Sequence, residues 1–238
     1  MSMFVGHHNK EISSFIVLIF MLGESRSFLL SFLLKIMSRQ VKSKKRVADH
    51  GEVFTNEREV KAMVDLVWKN LAEEDKYRPI TATFLEPSCG TGNFLIEILN
   101  RKISLLKETN YNFGLYMVLI AGSIYGVELL EDNAKECRER LMNCFKDNIP
   151  NSTDNYDDLM RSIEFIINNN IINGNTLEYS TIEGNPIEFV KLERGEGDII
   201  KVSKHCFRSM TDGTGKFLAR FGPDPEEKQY FKLWELHF

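Results

Sequence analysis

Between residues 57 and 74 the apolar side chains Val60, Met63, Val64, Val67 and Leu71 recur three and four positions apart, the spacing that gathers them on one face of an α-helix. Thr55 or Asn56 can cap its start, and Asn56 with Glu59 three residues on makes a capping-box-like pair. Residues 81–86 (TATFLE) then predict a short strand, 87–92 (PSCGTG) a tight loop, and 93–107 a second helix. The apolar stretch 111–121 predicts another helix, and 123–127 (SIYGV) a strand that ends at Glu128. In 130–146 the residues Leu130, Ala134, Cys137, Leu141 and Phe145 form the inner face of an amphipathic helix, with Cys137 and Cys144 as core-facing candidates. Residues 150–158 are polar and turn-rich, and a third strand is expected at 170–173, closed by Gly174, Asn175 and Thr176. After about residue 180 the alternation stops, and 188–194 and 198–204, joined through Gly-Glu-Gly, predict a β-hairpin.

Strand, glycine loop, helix, strand with terminal acid, helix, strand is the order of an α/β fold with a doubly wound, Rossmann-like sheet, here partial and followed by a β-hairpin extension. Ligands of such sheets sit at the carboxyl ends of the strands. Four segments are expected: 1–36, an apolar N-terminal extension; 37–56, a basic arm; 57–180, the α/β domain; and 181–238, a β-rich extension.

The first segment carries two apolar runs, 15–22 and 28–34, separated by GESRS. A membrane span needs ~20 mostly apolar residues, which neither run supplies, and joining them would bury Glu24 and Arg26 in lipid. A signal peptide fits poorly, because Lys10 is offset by Glu11 and no small-x-small site follows. The expectation is a start at Met37, where the sequence turns basic and polar, with residues 1–36 dispensable and no membrane partner.

A formal charge of −4 offers no global attraction to nucleic acid. Locally, Lys35, Arg39, Lys42, Lys44, Lys45 and Arg46 make a basic run that could contact phosphates or simply be a solvated arm. The four cysteines form no CxxC pair, which suits a reducing, cytoplasmic setting and excludes a zinc ribbon or a stapled secreted domain. His205-Cys206 is read as a strand-borne pair on opposite faces, and Tyr230, Phe231 and Trp234 as a packed terminal strand or a base-stacking set.

The chemistry concentrates in EPSCGTGNF, from Glu86 to Phe94. Gly90 and Gly92 let a ligand approach the main chain, and the following helix offers unpaired N–H groups. Glu86 can hydrogen-bond an ammonium group, which a dinucleotide phosphate site would not welcome. The full GxGxxG is not met, because Leu95 stands at the third glycine position; the Glu86-Pro87 prefix and the Phe94 spacing favour a cofactor loop over a plain turn. Glu128 can accept hydrogen bonds from both ribose hydroxyls of an adenosine-containing cofactor, or act only as the N-terminal charge of the next helix.

In order, GEVFTN (51–56), FLEPSCGTGNFL, IYGVEL and NGNTL resemble the cofactor half of the adenine-specific N6 DNA methyltransferases of restriction–modification systems, over residues 45–180. The resemblance implies S-adenosyl-L-methionine as cofactor and duplex DNA as partner. It implies that Phe54 and Thr55 touch the methionine end, that Glu86, Pro87, Gly90, Gly92 and Phe94 form the loop holding the methionine, that Glu128 takes the ribose and Asn175 the adenine. Asn56 stands where the family usually has Pro, and Asn175 where it usually has Asp; an asparagine still accepts from an amino group.

The family's (D/N)-P-P-(Y/F) motif is missing. That motif accepts the hydrogens of the target amino group and stacks on the flipped base. The nearest segment, Gly184-Asn185-Pro186-Ile187, reads as an Asn-Pro turn, and no catalytic residue is assigned. Three readings stay open: a truncated or split enzyme completed by a second polypeptide with the catalytic motif, a non-catalytic remnant, or a methyltransferase for another substrate.

Overall fold

A computed structural model describes residues 4–6, 42, 46, 55–208 and 225–236. The fold is mixed α/β. Strand β1 (Phe4–Gly6) precedes helix α1 (Glu57–Glu74), strand β2 (Thr83–Glu86), α2 (Asn93–Leu106), α3 (Phe113–Ala121) and β3 (Ile124–Glu128). There follow α4 (Glu131–Asn148), α5 (Tyr156–Asn170), β4 (Ile171–Asn175), β5 (Ser180–Thr181), β6 (Glu188–Arg194), β7 (Ile199–Cys206) and β8 (Glu226–Gln229). One sheet has the order β1-β2-β3-β4-β5, and a second, antiparallel one the order β6-β7-β8.

In the first sheet β2, β3 and β4 run parallel, while β1 and β5 close the two edges antiparallel. The register sets Glu86 beside Gly126 and Glu128 beside Asn173. Side chains alternate across a strand, so Glu86, Glu128, Asn173 and Asn175 belong to one face. That face carries Phe84, which packs with Val60, Val64 and Leu71 of α1 and with Phe94 and Ile98 of α2. The opposite face carries Leu85, Tyr125 and Val127, covered by Ile187, Phe189 and Phe207.

Helix α1 starts where its capping sequence places it: the Asn56 side chain accepts from the Glu59 N–H at 3.1 Å. In α4 the residues Ala134, Cys137, Leu141 and Phe145 are fully buried, while Leu130 and Cys144 are only half-buried. The hairpin β6–β7 forms as expected. His205 is buried and Cys206 half-buried, as a pair on opposite strand faces requires, and His205 Nε2 lies 3.0 Å from the Ser203 hydroxyl.

Two expectations are corrected. The third strand runs from Ile171 to Asn175, not 170–173, and the stretch before it is the helix α5, whose Leu159, Ile163, Ile166 and Ile167 are sealed in the core. The terminal aromatic segment is a 3₁₀ helix (Tyr230–Glu235), because Leu233 docks on α5 and its N–H donates to the Ser162 hydroxyl at 2.9 Å. Of residues 1–36, expected to be dispensable, Phe4–Gly6 pairs antiparallel with β2. The apolar runs 15–22 and 28–34, His7-His8 and the start at Met37 lie outside the described residues.

The C-terminal β-sheet shares its core with the helices: Val190, Ile200, Val202, Tyr230 and Leu233 belong to the same apolar cluster as α2 through α5. Asn170, at the end of α5, exchanges hydrogen bonds with the Val190 main chain in both directions, at 2.8 and 3.0 Å. Among the described residues no helix is long and apolar enough to cross a membrane.

Candidate functional site

The loop after β2 turns through two glycines in the left-handed region, Gly90 at φ 53° and Gly92 at φ 89°. Such angles cost L side chains about 1 kcal/mol or more. Gly92 has a second reason to lack a Cβ, since one would lie 2.7 Å from the Cys137 sulfur. Its bareness therefore lets α4 pack on the loop, a role the sequence reading assigned to ligand approach. The Cys89 N–H donates to Val127 O at 2.9 Å, and that of Gly92 to Cys89 O at 2.8 Å, which anchors the loop to β3.

Distant side chains brace this turn. Arg140 of α4 donates to Thr91 O at 2.6 Å, to the Thr91 hydroxyl at 3.1 Å and to Asn93 Oδ1 at 2.9 Å. Asn93 Nδ2 donates to Thr55 O at 3.1 Å, which joins the segment before α1 to the loop. The Thr176 hydroxyl donates to Pro87 O, and Asn173 Nδ2 to the Glu128 and Leu129 carbonyls at 2.9 and 3.0 Å. The ends of β2, β3 and β4 are thus one hydrogen-bonded unit. None of Asn93, Arg140, Asn173, Thr176 and Cys137 was singled out for the site from the sequence.

Two carboxylates stand at the strand ends. Glu128 is well used: Oε2 accepts from the Gly90 N–H at 2.8 Å, and Oε1 from the Leu130 N–H at 3.0 Å and from Asn133 Nδ2 at 3.4 Å. A carboxylate has about four acceptor positions, so engaging both hydroxyls of a ribose requires releasing the long Asn133 contact. Both alternatives read from the sequence meet here, since the same group braces the start of α4.

Glu86 is the opposite case. It is 1% exposed, and neither carboxyl oxygen has a hydrogen-bond partner. Burial pushes its carboxyl up to about 8, and the neighbouring Ser88 amide pulls back only in part. Buried polar groups are almost always hydrogen-bonded, so an orphan carboxyl beside a glycine loop makes this the candidate site. Cys89 and Cys137 are hydrogen-bonded to each other, and that contact with burial raises the Cys89 thiol well above its usual range; it is no nucleophile.

The other expected residues divide. Thr55 and Pro87 adjoin the loop through the bonds just given, and Asn175 accepts from the Leu177 N–H at 3.0 Å in an Asx turn at the end of β4. Phe94 lies in the core between α1 and β2, 5% exposed. Phe54, with residues 51–53, lies outside the described residues. Of the basic run, Arg46 pairs with both Asp132 oxygens at 2.7 and 3.0 Å, and Lys42 reaches Asn133 and Glu136, each at 2.8 Å. Those two cations are spent on α4 rather than offered to phosphates. The Arg46 guanidinium in turn holds the Asp132 carboxyl down at about 2.

The site fits S-adenosylmethionine in one respect that its own atoms show. A buried acid whose carboxyl oxygens have no side-chain partner suits a cationic amino-acid head. Compared with protein-family models, curated proteins and solved structures, the chain has no significant match. Among the described residues no cluster of His, Cys, Asp and Glu could hold a metal ion.

Proposed function

We propose that this chain is the S-adenosylmethionine-binding α/β domain of an adenine-N6 DNA methyltransferase of the restriction–modification type, completed by a second polypeptide that brings the catalytic motif. In this reading β2, β3 and β4 are three parallel strands of a doubly wound sheet, with the cofactor at their carboxyl ends. The observation that carries it is the sealed Glu86 carboxyl without a partner, next to a loop with two left-handed glycines.

When bound, S-adenosylmethionine supplies an electrophilic methyl group. The chain's own residues bind and orient: Glu86 takes the amino end, the Gly90–Gly92 turn the main-chain contact, Glu128 the sugar and Asn175 the base. The acceptor side is not furnished by residues 184–187. There Thr181 and Asn185 close a turn at 2.7 Å, Gly184 sits at φ 86°, and Ile187 is buried. Without acceptors for the amino hydrogens of the target base, most of the lowering of the barrier is missing.

Calorimetry with purified chain should show S-adenosylmethionine binding that Gly90→Val removes and that Glu128→Ala weakens by ~1–3 kcal/mol, the cost of a lost buried polar partner. In a tritiated-methyl assay the chain alone should leave unmethylated duplex DNA unlabelled, and a partner carrying NPPY and a recognition domain should restore labelling. A folded wild-type chain that binds no S-adenosylmethionine refutes the assignment; incorporation by the chain alone refutes the need for a partner.

A further inference from the structure

The Glu86 carboxyl poses a question that the cofactor reading leaves open. A carboxylate with no side-chain donor, only the Ser88 main-chain N–H beside it, and 1% exposure cannot wait in its ionised form without a large desolvation cost. The side chains around it do not relieve that cost. Across the register lies Gly126, which has no side chain. In the loop, Cys89 is neutral and bonded to Cys137 of α4. At the end of β3, the Glu128 carboxylate is an acid too, and it is held by three N–H donors of its own. Among the described residues no lysine, arginine or histidine pairs with Glu86.

We propose that Glu86 is a proton-exchanging receptor for the ligand's ammonium group: it waits as the neutral acid and gives its proton to solvent as the ammonium arrives. The inference rests on the cofactor reading above, and it adds a selection rule. In the exchange the carboxyl O–H bond breaks, the proton passes to water, and the carboxylate so formed is neutralised by the three N–H donors of the incoming ammonium; no other bond changes. A ligand without that ammonium gives the carboxylate nothing in return for losing its proton. The site therefore selects an amino-acid head group over its deaminated analogue, even though both can fill the same space.

The carboxyl holds its proton up to about pH 8, so the consequence has a definite window. Below it, each unit of pH should change affinity tenfold, tighter as the pH rises; above it the ligand's own amino group loses its proton, and the gain ends. Near pH 6.5 about one proton should be released per ligand bound, and near pH 9.5 about one should instead be taken up, by the ligand's amine.

The test uses the whole chain, carbon-13 labelled at glutamate carboxyls, with Glu86→Gln to assign the signal. In the ligand-free protein one carboxyl should titrate near pH 8 and be missing from the variant; saturating S-adenosylmethionine should move it below pH 6. Calorimetry at pH 6.5 in buffers of different ionisation heat should count about one proton released by the wild type and none by Glu86→Gln, whose weaker affinity should be flat between pH 6 and 8. The deaminated analogue should release no proton and bind at least tenfold more weakly. Glu86 titrating in the ordinary carboxyl range, or S-adenosylmethionine binding without proton release, overturns the exchange alone. Absence of binding at every pH, with the protein folded, overturns the cofactor reading and the exchange together.

Discussion

The two ends of strand β2 each bury one ionisable group, and they treat it in opposite ways. At the amino end Lys102 of α2 is fully buried. Its Nζ donates to Ala82 O at 2.6 Å, to the Ser123 hydroxyl at 2.9 Å and to Ile80 O at 3.0 Å, and it lies 4.9 Å from the centre of the Phe84 ring. All three of its donor positions are filled. At the carboxyl end Glu86 is as deeply buried and has no partner. The same burial lowers the ammonium of the first and raises the carboxyl of the second. The first arrangement stitches the strand to its helix and leaves nothing over for a ligand. The second leaves a buried polar group open, the feature on which the proposed cofactor site rests, at a cost to stability that functional sites commonly carry.

Breaking the satisfied end should have the largest effect. Lys102→Met keeps the length and apolar stem but leaves two carbonyls and a hydroxyl buried without a donor, so urea unfolding should show a loss of about 3–5 kcal/mol. A loss below about 1 kcal/mol would mean that water replaces the ammonium and that this end is not a structural lock.

The loop next to Glu86 comes second. Gly92→Ala meets both a left-handed backbone and the Cys137 sulfur 2.7 Å away, and should cost about 2–4 kcal/mol. In a Cys137→Ala background the clash disappears, and the same change should cost only about 1 kcal/mol, the backbone part. Equal costs in the two backgrounds would show that the packing of α4 on the loop does not depend on that glycine.

How much of this was legible in the sequence follows from the range of each interaction. Helix α1 was readable because its cap and its apolar repeat are local, and its observed bounds coincide with the expected ones. Helix α5 was not, although Leu159, Met160, Ile163, Ile166 and Ile167 keep helical spacing. Its C-terminal half is rich in isoleucine and asparagine, which favour strand or turn, and packing on the core overrides that preference. The two-residue β5 is too short to carry a pattern, and the terminal 3₁₀ helix is fixed by Ser162, far away in the chain. In the site, the glycines and the strand-end acids show in the sequence because a left-handed turn and the end of a strand are marked by residue type within a short stretch. The braces Arg140, Asn93 and Thr176 do not, because their partners lie 38–89 residues away and nothing local announces the pairing. The burial of Phe94 was not legible either, because an aromatic beside a glycine loop reads equally as ligand contact or as core, and its packing depends on the position of α1.

The contrast between the two ends of β2 is tested most directly by one comparison: urea unfolding of the ligand-free wild type and of Glu86→Gln at pH 8.5. A folded-state carboxyl raised to about 8 keeps its full stabilising contribution below the ordinary carboxyl range and loses it as the pH climbs through 8. At pH 8.5 the wild type therefore holds an ionised, unpartnered acid in its interior, and the neutral amide does not. The variant should be the more stable protein, by about 1–3 kcal/mol, with the gain shrinking as the pH falls toward 5. A variant less stable than the wild type at pH 8.5 would show that Glu86, like Lys102, is held by the fold for the fold's own sake.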